Sequence, residues 1–226
     1  MPIYQLFDDD IRFPNPMDSE EDGLLAIGGD LSVQRLISAY ATGVFPWYER
    51  KPILWWSPDP RTILNPNEFK ISKSLKRVIR SGKFEVRMDT AFSRVIDMCG
   101  RIPRKGENGT WITSDMKVAY KQLYVLGVAH STETFHNNHL VGGLYGVSIG
   151  KAFFGESMFH SETDASKVAF AALAAWLHER DFMFIDCQMH TEHLLSLGAM
   201  DIPKADYIKL LSQAISFPTL KGKWNF

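Results

Sequence analysis

The chain has 226 residues, 45% of them hydrophobic and 23% charged, with a formal net charge of −1. A chain of that length buries a core unaided, and its two cysteines, Cys99 and Cys187, lie too far apart in sequence for a CxxC pair. That usage argues against a disulfide scaffold and suits a reducing compartment. No apolar run approaches the roughly 20 residues of a membrane span. Residues 1–10 carry no basic and apolar leader, so a cytoplasmic location without a membrane partner is expected.

In chain order, Phe13-Pro14-Asn15-Pro16 reads as a rigid extended segment. Gly28-Gly29-Asp30-Leu31-Ser32 reads as a turn, with Asp30 or Ser32 capping a helix over 33–42 that ends at Gly43. Short strands are expected at 53–56 and 61–64, and residues 1–65 read as a small Pro-rich α+β unit. Beyond it come a basic helix at 71–81, a strand at 84–88, a helix at 90–99 and a basic loop at 100–109. An amphipathic helix follows at 114–126, with Met116, Ala119, Tyr120 and Leu123 available for burial. Three antiparallel strands are expected at 128–135, 140–149 and 152–159. Asn137-Asn138 and Gly150-Lys151 supply the two turns. An Ala-rich helix at 163–180, an apolar strand at 182–188, a short helix at 191–197 and a last helix at 204–215 complete an α+β domain over 66–226 with a mixed sheet.

Charge is segregated. Residues 1–30 hold eight acids and one base, whereas residues 70–105 hold eleven bases and three acids. Lys73, Lys76, Arg77 and Arg80 recur at three and four residues, so they share one helix face. Such a face is either solvated or met by a polyanion.

The segment from Gly142 to Phe159 is glycine-rich and aromatic and carries one carboxylate, Glu156. It reads either as a buried hairpin with glycines at bends or as the wall of an apolar pocket with an acid at its rim. On a strand, Glu156 and Met158 should face one side, as should Asp186 and Gln188. His136 and His139 flank a turn, and His190 and His193 are three apart. No acid-rich helix accompanies either pair, so no metal site is expected.

Taken together, several segments resemble the leucyl/phenylalanyl-tRNA–protein transferases. They include Gly23-Leu24-Leu25-Ala26-Ile27-Gly28-Gly29-Asp30-Leu31-Ser32, Gly43-Val44-Phe45-Pro46-Trp47-Tyr48 and Trp55-Trp56-Ser57-Pro58-Asp59-Pro60-Arg61. They continue with Gly109-Thr110-Trp111-Ile112-Thr113, Phe154-Gly155-Glu156-Ser157-Met158-Phe159, Asp186-Cys187-Gln188 and Ser196-Leu197-Gly198-Ala199. The likeness runs over nearly the whole chain, in order and at similar spacing; the loop 101–108 looks longer and more basic than the family pattern.

The resemblance implies a GNAT-like C-terminal domain and a small N-terminal domain. It implies transfer of Leu, Phe or Met from aminoacyl-tRNA to a protein N-terminus bearing Arg or Lys, which marks the acceptor for N-end-rule degradation. An aminoacyl ester is already activated, so no cofactor is expected. The resemblance places Asp186 and Gln188 beside the attacking amine and makes Glu156 a site acid. An amide oxygen is a very weak base, so Gln188 is read as orienting the amine, Asp186 as an anionic stabiliser and Glu156 as holding the basic acceptor. Leu144, Phe153, Met158, Phe170 and Ala174 are expected to form the side-chain pocket; ordinary core is the competing reading for Phe170 and Ala174. Trp47, Trp111 and Tyr120 match positions near the tRNA 3′-adenosine, and Lys73, Lys76, Arg77 and Arg80 would meet phosphates.

Two other functions compete. An acyl-CoA-dependent N-acyltransferase would need a glycine-rich pyrophosphate loop, which residues 155–167 do not supply. A non-catalytic RNA-binding protein would leave Glu156, Asp186 and Gln188 unexplained.

Overall fold

Two glycine- and asparagine-led turns set the largest part of the architecture. In the computed structural model, which describes residues 3–101 and 111–226, Asn137 and Asn138 have φ of 50° and 63°. Both values are positive, the backbone of a tight two-residue hairpin turn. The turn joins two long strands, and Gly150-Lys151 joins the second of these to a third.

The elements in chain order begin with β1 (Tyr4–Leu6), β2 (Leu24–Gly28), α1 (Val33–Ala41), β3 (Phe45–Pro46), β4 (Leu54–Trp56) and β5 (Arg61–Leu64). Then come α2 (Lys73–Arg80), β6 (Glu85–Met88), α3 (Phe92–Cys99), α4 (Ser114–Val125), β7 (Ala129–His136), β8 (His139–Ile149) and β9 (Ala152–His160). The chain closes with α5 (Ala165–His178), β10 (Phe184–Gln188), α6 (Glu192–Ser196), β11 (Met200–Ile202) and α7 (Lys204–Ile215). Residues 102–109 of the expected basic loop 100–109 lie outside the described residues, as does Thr110 of the family-like segment.

A four-stranded sheet is ordered β1-β2-β4-β3, and a seven-stranded sheet β11-β5-β10-β9-β8-β7-β6. The larger sheet is mixed: β9 and β10 run parallel, while β6, β7, β8 and β9 form an antiparallel meander. The α+β class with a mixed sheet is therefore observed. β5, which the sequence division at 65 places with the N-terminal unit, pairs instead with β10 and β11 in the larger sheet. One apolar core also joins the two sheets, running from Leu25 and Trp55 to Tyr145 and Phe154. On the other face of the larger sheet, Leu144 and Phe153 pack with Leu173, Trp176 and Leu177 of α5.

Two helices deserve notice for what they deliver. The Ser32 hydroxyl caps α1, and Leu36, Ala39 and Tyr40 form its buried stripe. The Thr113 hydroxyl caps α4, whose buried residues Met116, Ala119, Tyr120 and Leu123 follow the same period. Asp164 stands at the N-terminus of α5 in a left-handed conformation and without a side-chain cap.

Candidate active site

A fork in the larger sheet opens the site. β9 and β10 pair through Phe184–Ala152, Ile185–Phe153 and Asp186–Phe154. Past that point residues 155–158 and 187–190 line a cavity of about 530 Å³. Leu144, Phe153, Met158 and Phe170 line it, as expected, and Ile185 joins them. Ile185 is paired in register with Phe153, so the two side chains share a face of the sheet; sequence reading missed it although it lies two residues before Cys187. Ala174 is buried in the same apolar cluster but does not line the cavity. It is one helical turn beyond Phe170 and takes the core reading rather than the pocket reading.

A bulge aims the acid. Tyr145 pairs with Ser157 but Gly146 pairs with Gly155, which leaves Glu156 as the extra residue. Gly146 is required there, because a Cβ would stand 2.2 Å from the Phe154 carbonyl oxygen and 2.6 Å from the Phe153 ring. The bulge breaks strand alternation. Met158 packs with the cluster under α5, while Glu156 turns to Tyr40 and Tyr120 on the other side of the sheet. The expectation that Glu156 and Met158 face one way therefore fails, although both reach the cavity.

Glu156 is 7% exposed. The Tyr40 hydroxyl donates to its Oε1 at 2.6 Å, and the Tyr120 hydroxyl to its Oε2 at 2.8 Å. Gln188 Nε2 donates to Oε1 at 3.2 Å. Burial raises the Glu156 carboxyl to about 7, against the pull of its three hydrogen-bond donors. Burial also raises both tyrosines well above their ordinary value, so they stay protonated.

Asp186 and Gln188 do not share a face. The β10–β5 register shifts between them, and Gln188 has φ of 65°. Gln188 lines the cavity, whereas Asp186 is fully buried behind it. Arg61 holds Asp186 in two-pronged fashion, Nε to Oδ1 at 2.9 Å and Nη2 to Oδ2 at 2.7 Å. The Tyr207 hydroxyl donates to Oδ2 at 2.8 Å. Asp186 Oδ1 also accepts the Gln188 backbone N–H at 2.9 Å, which fixes the left-handed turn. Arg61 and Tyr40 escaped sequence reading. Their partners, Asp186 for Arg61 and Glu156 for Tyr40, lie 125 and 116 residues away, with no spacing to mark either pair.

Trp47 and Trp111 line the cavity. Tyr120 does not: it is fully buried against Tyr145 and bonded to Glu156, so it offers no face to a base. Lys73, Lys76, Arg77 and Arg80 are exposed on α2, whose one buried residue, Leu75, anchors it beside α5. Among the histidines, His190 and His193 line the cavity, and His190 Nδ1 lies 2.6 Å from Asp201. Cys187 lines it too, but burial and the charge of Asp186 push its thiol far up, which disfavours a thiolate nucleophile.

The chamber thus sets an apolar wall beside a buried acid and a positioned amide. The chain matches the leucyl/phenylalanyl-tRNA protein transferase family over residues 63–212, and that family's N-terminal domain over residues 29–59. A relative named leucyl/phenylalanyl-tRNA–protein transferase from Solidesulfovibrio magneticus is 53% identical over 225 residues, covering 99% of this chain and 91% of its own. Another of that name, from Desulfatibacillum aliphaticivorans, is 50% identical over 226 residues, covering 100% and 97%. Among solved structures, the C-terminal domain of a putative lysylphosphatidylglycerol synthetase from Agrobacterium fabrum is 12% identical with a TM-score of 0.41, covering 73% of this chain and 53% of that one. The class is thus an aminoacyl-tRNA-dependent transferase. The chain belongs to the leucyl/phenylalanyl-tRNA–protein transferase family, which takes its amino acid from aminoacyl-tRNA and passes it to a protein N-terminus.

Proposed function

We propose that the chain transfers Leu, Phe or Met from aminoacyl-tRNA to the α-amino group of proteins that begin with Arg or Lys, marking them for N-end-rule degradation. The observation that carries this is a cavity in which an apolar wall, Leu144, Phe153, Met158, Phe170 and Ile185, meets Glu156 and Gln188. The wall takes an unbranched-at-Cβ or aromatic side chain. Trp47 and Trp111 stack on the 3′-adenosine, a contact worth ~1–3 kcal/mol per base. The exposed bases of α2 meet acceptor-stem phosphates.

Glu156 holds the basic acceptor. Gln188 donates its amide N–H to Glu156, which turns its carbonyl oxygen toward the incoming amine and orients it. Asp186 acts through the Gln188 backbone rather than on the amine. Most of the acceleration then comes from holding amine and ester together, the large entropic term of bimolecular reactions.

The direct test offers the protein labelled Leu-tRNA and a peptide beginning with Arg, against labelled acetyl-CoA as donor. Transfer from tRNA to the peptide is expected. Acetyl transfer without aminoacyl transfer would replace this reading with the acyl-CoA one, and RNA binding without either would replace it with a non-catalytic role.

A further inference from the structure

Glu156, Tyr40 and Tyr120 close a ring of hydrogen bonds that can be counted. Glu156 Oε1 meets the Tyr40 oxygen at 2.6 Å, and Glu156 Oε2 meets the Tyr120 oxygen at 2.8 Å. The two phenol oxygens are themselves in hydrogen-bond contact. Three oxygen–oxygen contacts need three protons, and two phenols supply two. With Glu156 ionised, both phenols donate to the carboxylate and face each other with no proton between them. With Glu156 protonated, Oε1–H donates to Tyr40, Tyr40 donates to Tyr120, and Tyr120 donates to Oε2. Every group in the ring is then satisfied, and cooperative polarisation favours such a closed loop in a dry site.

We propose that Glu156 is the proton carrier of the transfer reaction, with Tyr40 and Tyr120 as positioning residues that make room for its proton. The inference rests on the reading above that the acceptor amine arrives at the Glu156 end of the cavity. The step balances as follows. The amine nitrogen forms a bond to the ester carbonyl carbon, and one of its protons passes to the Glu156 carboxylate, closing the ring. The carbon–oxygen bond to the ribose breaks, and the ribose oxygen takes the proton back from Glu156. One ester and one amine become one amide and one hydroxyl, with no oxidant or cofactor.

The surroundings fit the role. Tyr40 of α1, Tyr120 of α4 and Gln188 of β10 face the carboxyl, and the buried charge of Asp186 behind them is paired with Arg61. Burial brings Glu156 to about 7, so near neutral pH the carboxyl can both take up the proton and give it back.

The test measures kcat and KM against pH for wild type, Glu156→Gln, Tyr40→Phe and Tyr120→Phe, with Leu-tRNA and an Arg-initiated peptide. Wild-type kcat should climb through a limb near pH 7. Glu156→Gln should lose that limb and roughly 10²-fold or more in kcat, the usual worth of a general base. Each Phe variant opens the ring that the protonated carboxyl closes, so the limb should move to lower pH; a move to higher pH would mean that the phenols serve only as donors to the carboxylate and would overturn their positioning role. Infrared difference spectra add a readout independent of turnover: a protonated-carboxyl C=O band at pH 6, absent from Glu156→Gln and fading above pH 8. If Glu156→Gln raises only the acceptor KM, or if the band is missing in wild type, the proton role is overturned while the proposed function stands. If wild type transfers nothing from Leu-tRNA, the proposed function itself fails.

Discussion

Arg61 and Asp186, 125 residues apart in sequence, form a fully buried two-pronged ion pair at 2.7 and 2.9 Å immediately behind the cavity. Arg61 is held further by the rings of Phe45 and Tyr207, 4.8 and 4.5 Å from its guanidinium carbon, and donates to the Gly43 carbonyl. Because Asp186 also accepts the Gln188 backbone N–H, the pair ties β5 to the turn that presents Gln188.

Removing one partner strands a charge in the interior, which costs roughly 3–5 kcal/mol. Asp186→Asn should therefore lower the Tm by roughly 10 °C, read by thermal denaturation. A double change, Arg61→Met with Asp186→Leu, should regain much of that stability, since a buried ion pair replaced by apolar groups is often near neutral. It should not regain activity, because the Gln188 turn loses its acceptor. Restored turnover in the double variant would show that Asp186 does not act by positioning Gln188.

Pocket shape carries the second prediction. Leu144 and Phe153 line the cavity from adjacent strands. Leu144→Phe fills part of the chamber, so kcat/KM for Phe-tRNA should fall more than for Leu-tRNA, by roughly 10–200-fold in their ratio. Competition between the two charged tRNAs measures it. An unchanged ratio would move the side-chain subsite elsewhere.

How much of this was legible beforehand depended on whether a feature is local. The Asn137-Asn138 turn and the helix at 204–215 follow from residues within a few positions, and the structure places them where periodicity does. The short strands β1, β2 and β11 carry no usable period, since each exists through its partner in a sheet. Site phasing failed twice for one reason. Alternation puts Glu156 with Met158 and Asp186 with Gln188, but a register shift interrupts each strand at that point. The two shifts lie on neighbouring strands just past the last β9–β10 pair, Asp186–Phe154, where Glu156 and Gln188 line the chamber.

The exposed basic face of α2 gives a third prediction. If Lys73, Lys76, Arg77 and Arg80 meet phosphates, each neutralised contact contributes about 0.7–0.9 to the slope of log affinity against log salt. Changing Lys76 and Arg77 to Gln should reduce the slope for tRNA by roughly 1.5, with little change in kcat at saturating tRNA. Only Leu75 of this helix is buried, so folding should be spared. Filter binding over a salt series provides the measurement, and an unaltered slope would assign the face to solvent.

Burial of Glu156 makes stability itself pH-dependent, in a direction opposite to that of a salt-bridged acid. Its carboxyl titrates near 4.5 when unfolded and at about 7 in the native state. Below pH 4.5 both states hold the proton and the group is neutral in the balance. Between the two values the native state binds more protons, so this contribution to stability falls as pH rises and is fully lost above about 7. At ~1.4 kcal/mol per unit the loss is of order 3 kcal/mol. Glu156→Gln keeps the size and removes the ionisation. Its stability relative to wild type should therefore improve from pH 4.5 to about pH 7 and level off above that, read from urea unfolding at each pH. A difference that stays flat across that range would mean the native carboxyl is ionised throughout, with its three donors outweighing its burial.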